Sequence, residues 1–137
     1  MARLVPKIYP ADYDENIPIG IGFPLTVDQD PKVNYETTKQ VHDNLRNLIL
    51  TIPGERPMEP DFGCNLLYLV FDQMNEQQMT DAATAAIKTA VATWMPAVTI
   101  MDVDLATDMD NYTMMFTVAY SVDGWAAENV LNLTMAI

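Results

Sequence analysis

From Tyr35 to about Leu50 the apolar residues Val41, Leu45, Leu48 and Ile49 recur at helical spacing, with Lys39, Gln40, Asp43, Arg46 and Asn47 on the other side. The pattern predicts an amphipathic helix with Asn34 as its N-cap and Pro53 with Gly54 as its stop. A second stripe, Met79, Ala83, Ala86, Ile87, Ala90 and Trp94, predicts a helix from about Glu76 to Trp94. Asn75 followed by Gln78 has the form of a capping box, Pro96 ends the element, and the alanines let it lie close to a neighbour while Trp94 fills the space at its end. After Pro96 the period becomes two. Met101, Val103 and Leu105 form one apolar set, Tyr112, Met114, Phe116, Val118, Tyr120 and Val122 a second, and Leu131, Leu133 and Met135 a third. Three half-buried strands joined by short connections, residues 106–111 and 123–129, predict antiparallel hairpins packed on the helices. The expected fold class is α+β in two layers, with two main helices on a mainly antiparallel sheet of three to four strands.

Residues 1–33 break this regularity. They hold five of the nine prolines, have no 3.6-residue period and contain the run Ile17-Pro18-Ile19-Gly20-Ile21-Gly22-Phe23-Pro24. They read as an extended proline-rich arm with one short strand near Gly22 to Val27, ahead of a single domain at 34–137; a disordered tail suits the same composition. Apolar residues exposed on such an arm call for cover by another subunit, so the arm is expected to become ordered on binding.

The segment from Pro53 to Asp72, PGERPMEPDFGCNLLYLVFD, lies between the two helical patterns. Pro57 and Pro60 restrict the backbone and remove two donors, Gly54 and Gly63 permit turns, and Phe62 with the apolar residues after Gly63 can pin the loop to a core. An ordered loop is expected.

Charge narrows the partners. Seven Lys+Arg against 19 Asp+Glu give a formal charge of -12, which repels phosphate backbones and anionic lipid, so direct nucleic-acid or membrane binding is not expected and partners should be neutral or basic protein surfaces. No stretch is long and apolar enough for a membrane helix, no export signal precedes the arm, and Cys64 has no second cysteine to pair with, so the product is expected to stay in the reducing compartment where it is made. Ten methionines serve an irregular core, or partly, at Met1, Met58, Met109 and Met135, adaptable protein contacts.

Candidate chemistry is sparse. Glu55, Glu59 and Asp61 are the only loop carboxylates beside apolar cover, and glycoside hydrolysis needs two such groups across a cleft with one held protonated. Arg56 next to them can equally neutralise one in a structural pair. His42 sits at the edge of a helical apolar stripe, and one His with one Cys cannot close a tetrahedral zinc site. Asp104, Asp108 and Asp110, like Asp12, Asp14 and Glu15, lack the spacing of a calcium loop, and no nucleotide-binding glycine fingerprint is present. No catalytic residue, metal or cofactor is therefore expected. Trp125, in a short strand connection, is a candidate contact anchor or folds back on the sheet edge, and free strand edges can accept a strand from another chain.

The combination of a helix, then Thr51-x-Pro53-Gly54-Glu55-Arg56-Pro57-x-x-Pro60-Asp61-Phe62-Gly63-Cys64, then an apolar turn ending in Leu69-Val70-Phe71-Asp72, resembles the tail-baseplate wedge family of contractile bacteriophages, to which type VI secretion baseplate proteins are related. The likeness runs from about Tyr35 onward, with weaker support at Asn111-Tyr112-Thr113, and leaves the arm uncovered. It implies a structural subunit of the virion tail baseplate, made in the host cytoplasm and present in several symmetric copies, with other wedge proteins and the tail sheath protein as partners. Members have at times been labelled lysozyme-like, which keeps a baseplate-associated peptidoglycan hydrolase as the alternative. The family's Glu-Pro-Arg tripeptide after the second helix is here Met95-Pro96-Ala97, so an ion-pair role does not carry over and an apolar contact is expected instead. The expected interface residues are Glu55, Arg56, Pro57, Phe62, Met95, Pro96, Ala97 and Trp125.

Overall fold

The computed structural model of the protein describes residues 16–23, 25, 30, 32–72, 74–108, 110–123 and 128–136. Two compact units divide the chain, Met1–Asn44 and Leu45–Ile137, and helix α1 (Thr37–Leu50) runs through the division.

In the first unit, strand β1 (Gly20–Ile21) pairs antiparallel with β2 (Val33–Asn34). The Ile19 N–H donates to the Asn34 carbonyl at 2.8 Å and the Gly22 N–H to that of Lys32 at 2.7 Å. The strand therefore lies just before the expected Gly22–Val27, in the stretch between Pro18 and Pro24 where every residue keeps an N–H for the ladder; residues 24 and 26–29 fall outside the described ones. Asn34 is not the helix cap. It is a buried strand residue whose Nδ2 donates to Asp43 Oδ2 at 2.7 Å and to Gln40 Oε1 at 3.0 Å, and the Phe23 N–H reaches the same Asp43 oxygen at 3.3 Å. The helix starts later, with the Gln40 N–H on the Glu36 carbonyl, because Asn34 is held in the β1–β2 ladder.

In the second unit the end of α1 buries Leu45, Leu48 and Ile49 as its spacing predicts. A short helix α2 (Leu66–Val70) follows the loop, then α3 (Glu76–Trp94), whose first turn is closed by the Asn75 N–H on Gln78 Oε1 at 3.3 Å. Helix α3 buries Met79, Ala83, Ile87, Ala90 and Val91, and packs on α2 and on β3 (Val98–Asp108). β4 (Thr113–Val122) and β5 (Asn129–Ala136) complete an antiparallel meander of order β3-β4-β5, so the class is α+β as the periodicities indicate. The inward face is Met114, Phe116, Val118, Tyr120 and Val122 on β4, flanked by Leu131, Leu133 and Met135 on β5. Met135 is thereby a core residue rather than a contact, whereas Met58 is 92% exposed; Met1 and Met109 lie outside the described residues.

Two positions depart from simple alternation. Ile100 pairs with Tyr120 and Asp102 with Ala119, so Met101 is the extra residue of a β-bulge. The bulge resets parity: Val98 and Ile100 face the core before it and Val103 after it, and Met101, expected inside, is 57% exposed with its sulfur accepting from Ser121 Oγ at 3.9 Å. Tyr112, expected as the first inward residue of β4, is instead an exposed turn residue with φ 51°. The turn is organised by Asp108, whose carboxylate accepts from Asn111 Nδ2 at 2.7 Å and from the N–H groups of Asp110 and Asn111.

Those donors hold the Asp108 carboxyl below the usual carboxylate range, the Asn111 side chain contributing most. A depressed folded-state pKa means the turn's contribution is present above the ordinary aspartate value of about 4 and is lost as pH falls through the lower folded value. Protection of the Asp110 and Asn111 amides, taken against the intrinsic exchange rate at each pH, is expected to fall on acidification in the wild type and to be low at every pH in Asp108→Ala; wild-type protection that does not change with pH would contradict the assignment.

Candidate functional site

The segment from Thr51 to Cys64 is fixed by its own backbone. The Gly54 N–H donates to the Pro60 carbonyl at 2.6 Å, the Phe62 N–H to Glu59 at 3.1 Å and the Cys64 N–H to Thr51 at 2.9 Å. Glu55 closes the first turn, its N–H on the Ile52 carbonyl at 3.1 Å and its Oε2 accepting from the Ile52 N–H at 3.2 Å. Two residues take left-handed backbone angles, Gly54 at φ 93° and Gly63 at φ 132°, which side chains other than glycine resist. At Gly63 there is also no space, since a Cβ would strike the backbone of Thr51 and Pro53.

This frame places Phe62 edge-on to Trp94 at the end of α3, with ring centroids 5.1 Å apart and planes at 66°. The Arg56 guanidinium lies over the Phe62 ring, 3.9 Å from its centroid, and its Nη1 is 3.9 Å from Glu59 Oε2. The ion pair is long and solvated, so its contribution is small, and the cation–π contact at an exposed site is worth about 0.5–1 kcal/mol. What the stack supplies is position: Arg56 is held over one ring of an aromatic pair, with Pro57, Met58 and Glu59 exposed around it. Cys64, behind the loop, is buried; burial pushes its thiol up, partly offset by a backbone hydrogen bond involving Leu66, and an uncharged thiol there is a small core residue.

The remaining expected contact residues fall as follows. Met95 caps α3 with its N–H on the Val91 carbonyl at 2.8 Å and accepts the Val98 N–H at 2.9 Å, so the helix turns directly into β3. Ala97 accepts the Asp123 N–H at 2.9 Å, which ties this junction to the end of β4, and Pro96 and Ala97 are exposed. Trp94, next to Met95, brings the loop and the junction to one end of α3. Its place on the helical stripe marks it as a filler at the helix end; the signal for a site is an aromatic residue at the last helical position, two residues before a proline. Trp125 lies outside the described residues.

Between the loop and α3 runs an open groove of about 520 Å³, lined by Ala85, Ala86, Thr89, Ala90 and Trp94 from the helix and by Pro53 and Asp61 from the loop. Of the three loop carboxylates only Asp61 lines it; Glu55 is turned to Ile52 and Glu59 towards Arg56, and all three are exposed. Among the described residues no group of three or more His, Cys, Asp and Glu is arranged to hold a metal ion.

Comparison with known proteins places this geometry in context. The family described as "Baseplate wedge protein gp25" matches residues 36–126, well over half of the chain. Over 107 residues the chain is 28% identical to the baseplate wedge protein gp25 of Enterobacteria phage T4, covering 72% of this chain and 80% of that one. Among solved structures, a Geobacter sulfurreducens protein provisionally named a tail lysozyme superposes with a TM-score of 0.66 at 19% identity, covering 83% of this chain and 96% of that one. A chain of the baseplate of the anti-feeding prophage superposes at 0.51 with 16% identity, covering 81% of this chain and 77% of its own. At such identities the two structural likenesses speak for the fold.

Proposed function

Because the chain belongs to the baseplate wedge protein gp25 family, we propose that it is a non-catalytic structural subunit of a contractile-tail baseplate wedge, docking through the Arg56–Phe62–Trp94 end of α3. The single observation that carries the choice of surface is that stack: an arginine and two aromatics, the residue types that dominate interface energetics, presented on a loop whose own hydrogen bonds fix it. Met95, Pro96 and Ala97 extend the same surface as an uncharged junction, and Glu55 and Pro57 form its rim. The other wedge proteins are its first partners, the tail sheath a further one, and the assembled location is the virion tail baseplate, in several symmetric copies, after synthesis in the host cytoplasm. Residues 1–33 act in this reading as an arm that contacts a neighbouring subunit and 34–137 as the wedge body.

A net charge of -12 favours neutral or basic protein partners over nucleic acid or lipid headgroups. Among the described residues no helix is long and apolar enough to cross a membrane. A hydrolytic reading has one loop carboxylate in the groove where the chemistry needs two, which favours the structural role.

Arg56→Ala combined with Phe62→Ala is expected to lower incorporation into baseplates at least tenfold, about 1.4 kcal/mol or more of docking energy, while circular dichroism stays that of the folded wild type. Wild-type incorporation of the folded double variant would remove this surface from the interface. Release of sugar from peptidoglycan by the purified wild type, abolished by Asp61→Asn, would overturn the non-catalytic role.

A further inference from the structure

The outward face of the β3-β4-β5 sheet differs from an ordinary solvated face. By register its rows are Asp108, Thr113 and Ala136; Ala106, Met115 and Thr134; Asp104, Thr117 and Asn132; and Asp102, Ala119 and Val130. Met101, Met115 and Val130 are 57%, 45% and 51% exposed on it. Strands β4 and β5 carry no charged side chain at all, although among the described residues β5 has a hydrogen-bonded neighbour on one side only and exposed edge strands normally carry lysines or other charges that prevent association. The charges sit in one column on β3 and have one sign: after Lys88 the sequence contains no Lys, Arg or His, while Asp102, Asp104, Asp108, Asp110, Asp123 and Glu128 remain.

We infer that this outward face, Met101, Met115 and Val130 bordered by Asp102 and Asp104, is a second docking surface whose occupant is a protein segment with apolar side chains and a basic edge. The exposed Met101, Met115 and Val130 side chains give burial, and the one-signed border selects the partner, because a segment lacking cations would leave those carboxylates desolvated and unpaired. Along β3, Asp102 and Asp104 are two residues apart, about 7 Å, which a partner matches with cations roughly four or five residues apart on a helix or two on a strand. The surface is distinct from the loop at the end of α3, and the inference rests on the assembly role proposed above.

The test uses assembled particles containing the full chain with Met115→p-benzoylphenylalanine, Val130→p-benzoylphenylalanine or, as the loop probe, Met58→p-benzoylphenylalanine, irradiated and analysed by mass spectrometry. The expected result is cross-linking from positions 115 and 130 to a peptide of another baseplate protein bearing two or more Lys or Arg. With it, Asp102→Asn and Asp104→Asn together should lower incorporation at least tenfold and flatten its dependence on salt. Cross-links from Met58 alone, with the protein present in particles, overturn the sheet-face surface and leave the loop surface standing. A peptide without Lys or Arg, or one from a second copy of this chain, overturns the partner chemistry. Absence of the protein from particles in all three variants and in wild type overturns the assembly role itself.

Discussion

Gly63→Ala is expected to destabilise the protein by about 3 kcal/mol and to detach the loop that presents Phe62. Two effects add. Its backbone angle, φ 132°, is one that L side chains rarely adopt, and the new methyl would meet the Thr51 carbonyl and the Pro53 nitrogen, which are backbone and cannot swing aside. The Thr51 carbonyl also accepts the Cys64 N–H, so relief of the clash breaks the bond that closes the loop. Gly54→Ala separates the two effects: its φ of 93° carries the conformational cost, but nothing lies within 4 Å of the added methyl, so about 1 kcal/mol is expected. Urea denaturation of both variants checks the ranking. Equal, small losses at the two positions would mean that the loop is not held by contact with Thr51 and Pro53.

Phe116→Ala is the second large effect. Phe116 is 0% exposed in the central strand, paired with Leu105 on β3 and Leu133 on β5, so truncation leaves a cavity with neighbours on both sides. A loss of about 3–5 kcal/mol is expected, lowering Tm by roughly 10 °C or more in a chain of this size. Met115→Ala, one residue away on the opposite face, should stay within about 0.5 kcal/mol of wild type in the isolated protein and yet weaken incorporation into particles. Calorimetry of the two variants with a particle assay reads both faces; a Met115→Ala loss approaching that of Phe116→Ala would reverse the assignment of inward and outward.

Helix and strand placement was largely legible because burial on one side imposes a period. The stripe ending at Trp94, with Pro96 behind it, marked α3 to the residue, and Leu131, Leu133 and Met135 marked the inward face of β5. The misplaced residues share one cause. Met101, Tyr112 and Asn34 each continue a local pattern that a contact elsewhere in the chain interrupts: a bulge opposite Tyr120 and Ala119, a turn built on Asp108, and a ladder with Gly20.

The loop residues that form the candidate site were readable one by one, since prolines and glycines declare a constrained path, but their grouping was not. Arg56, Phe62 and Trp94 are separated along the chain, and nothing local specifies that a ring at 62 meets one at 94. The amino-acid order by itself determined the α+β class, the acidic surface and the places where the chain must turn, because these follow from periodicity, charge and backbone sterics. Tertiary structure alone decided which aromatic stands under the arginine, which carboxylate reaches the groove and which sheet face stays open, because those depend on contacts between segments whose separation no local preference encodes.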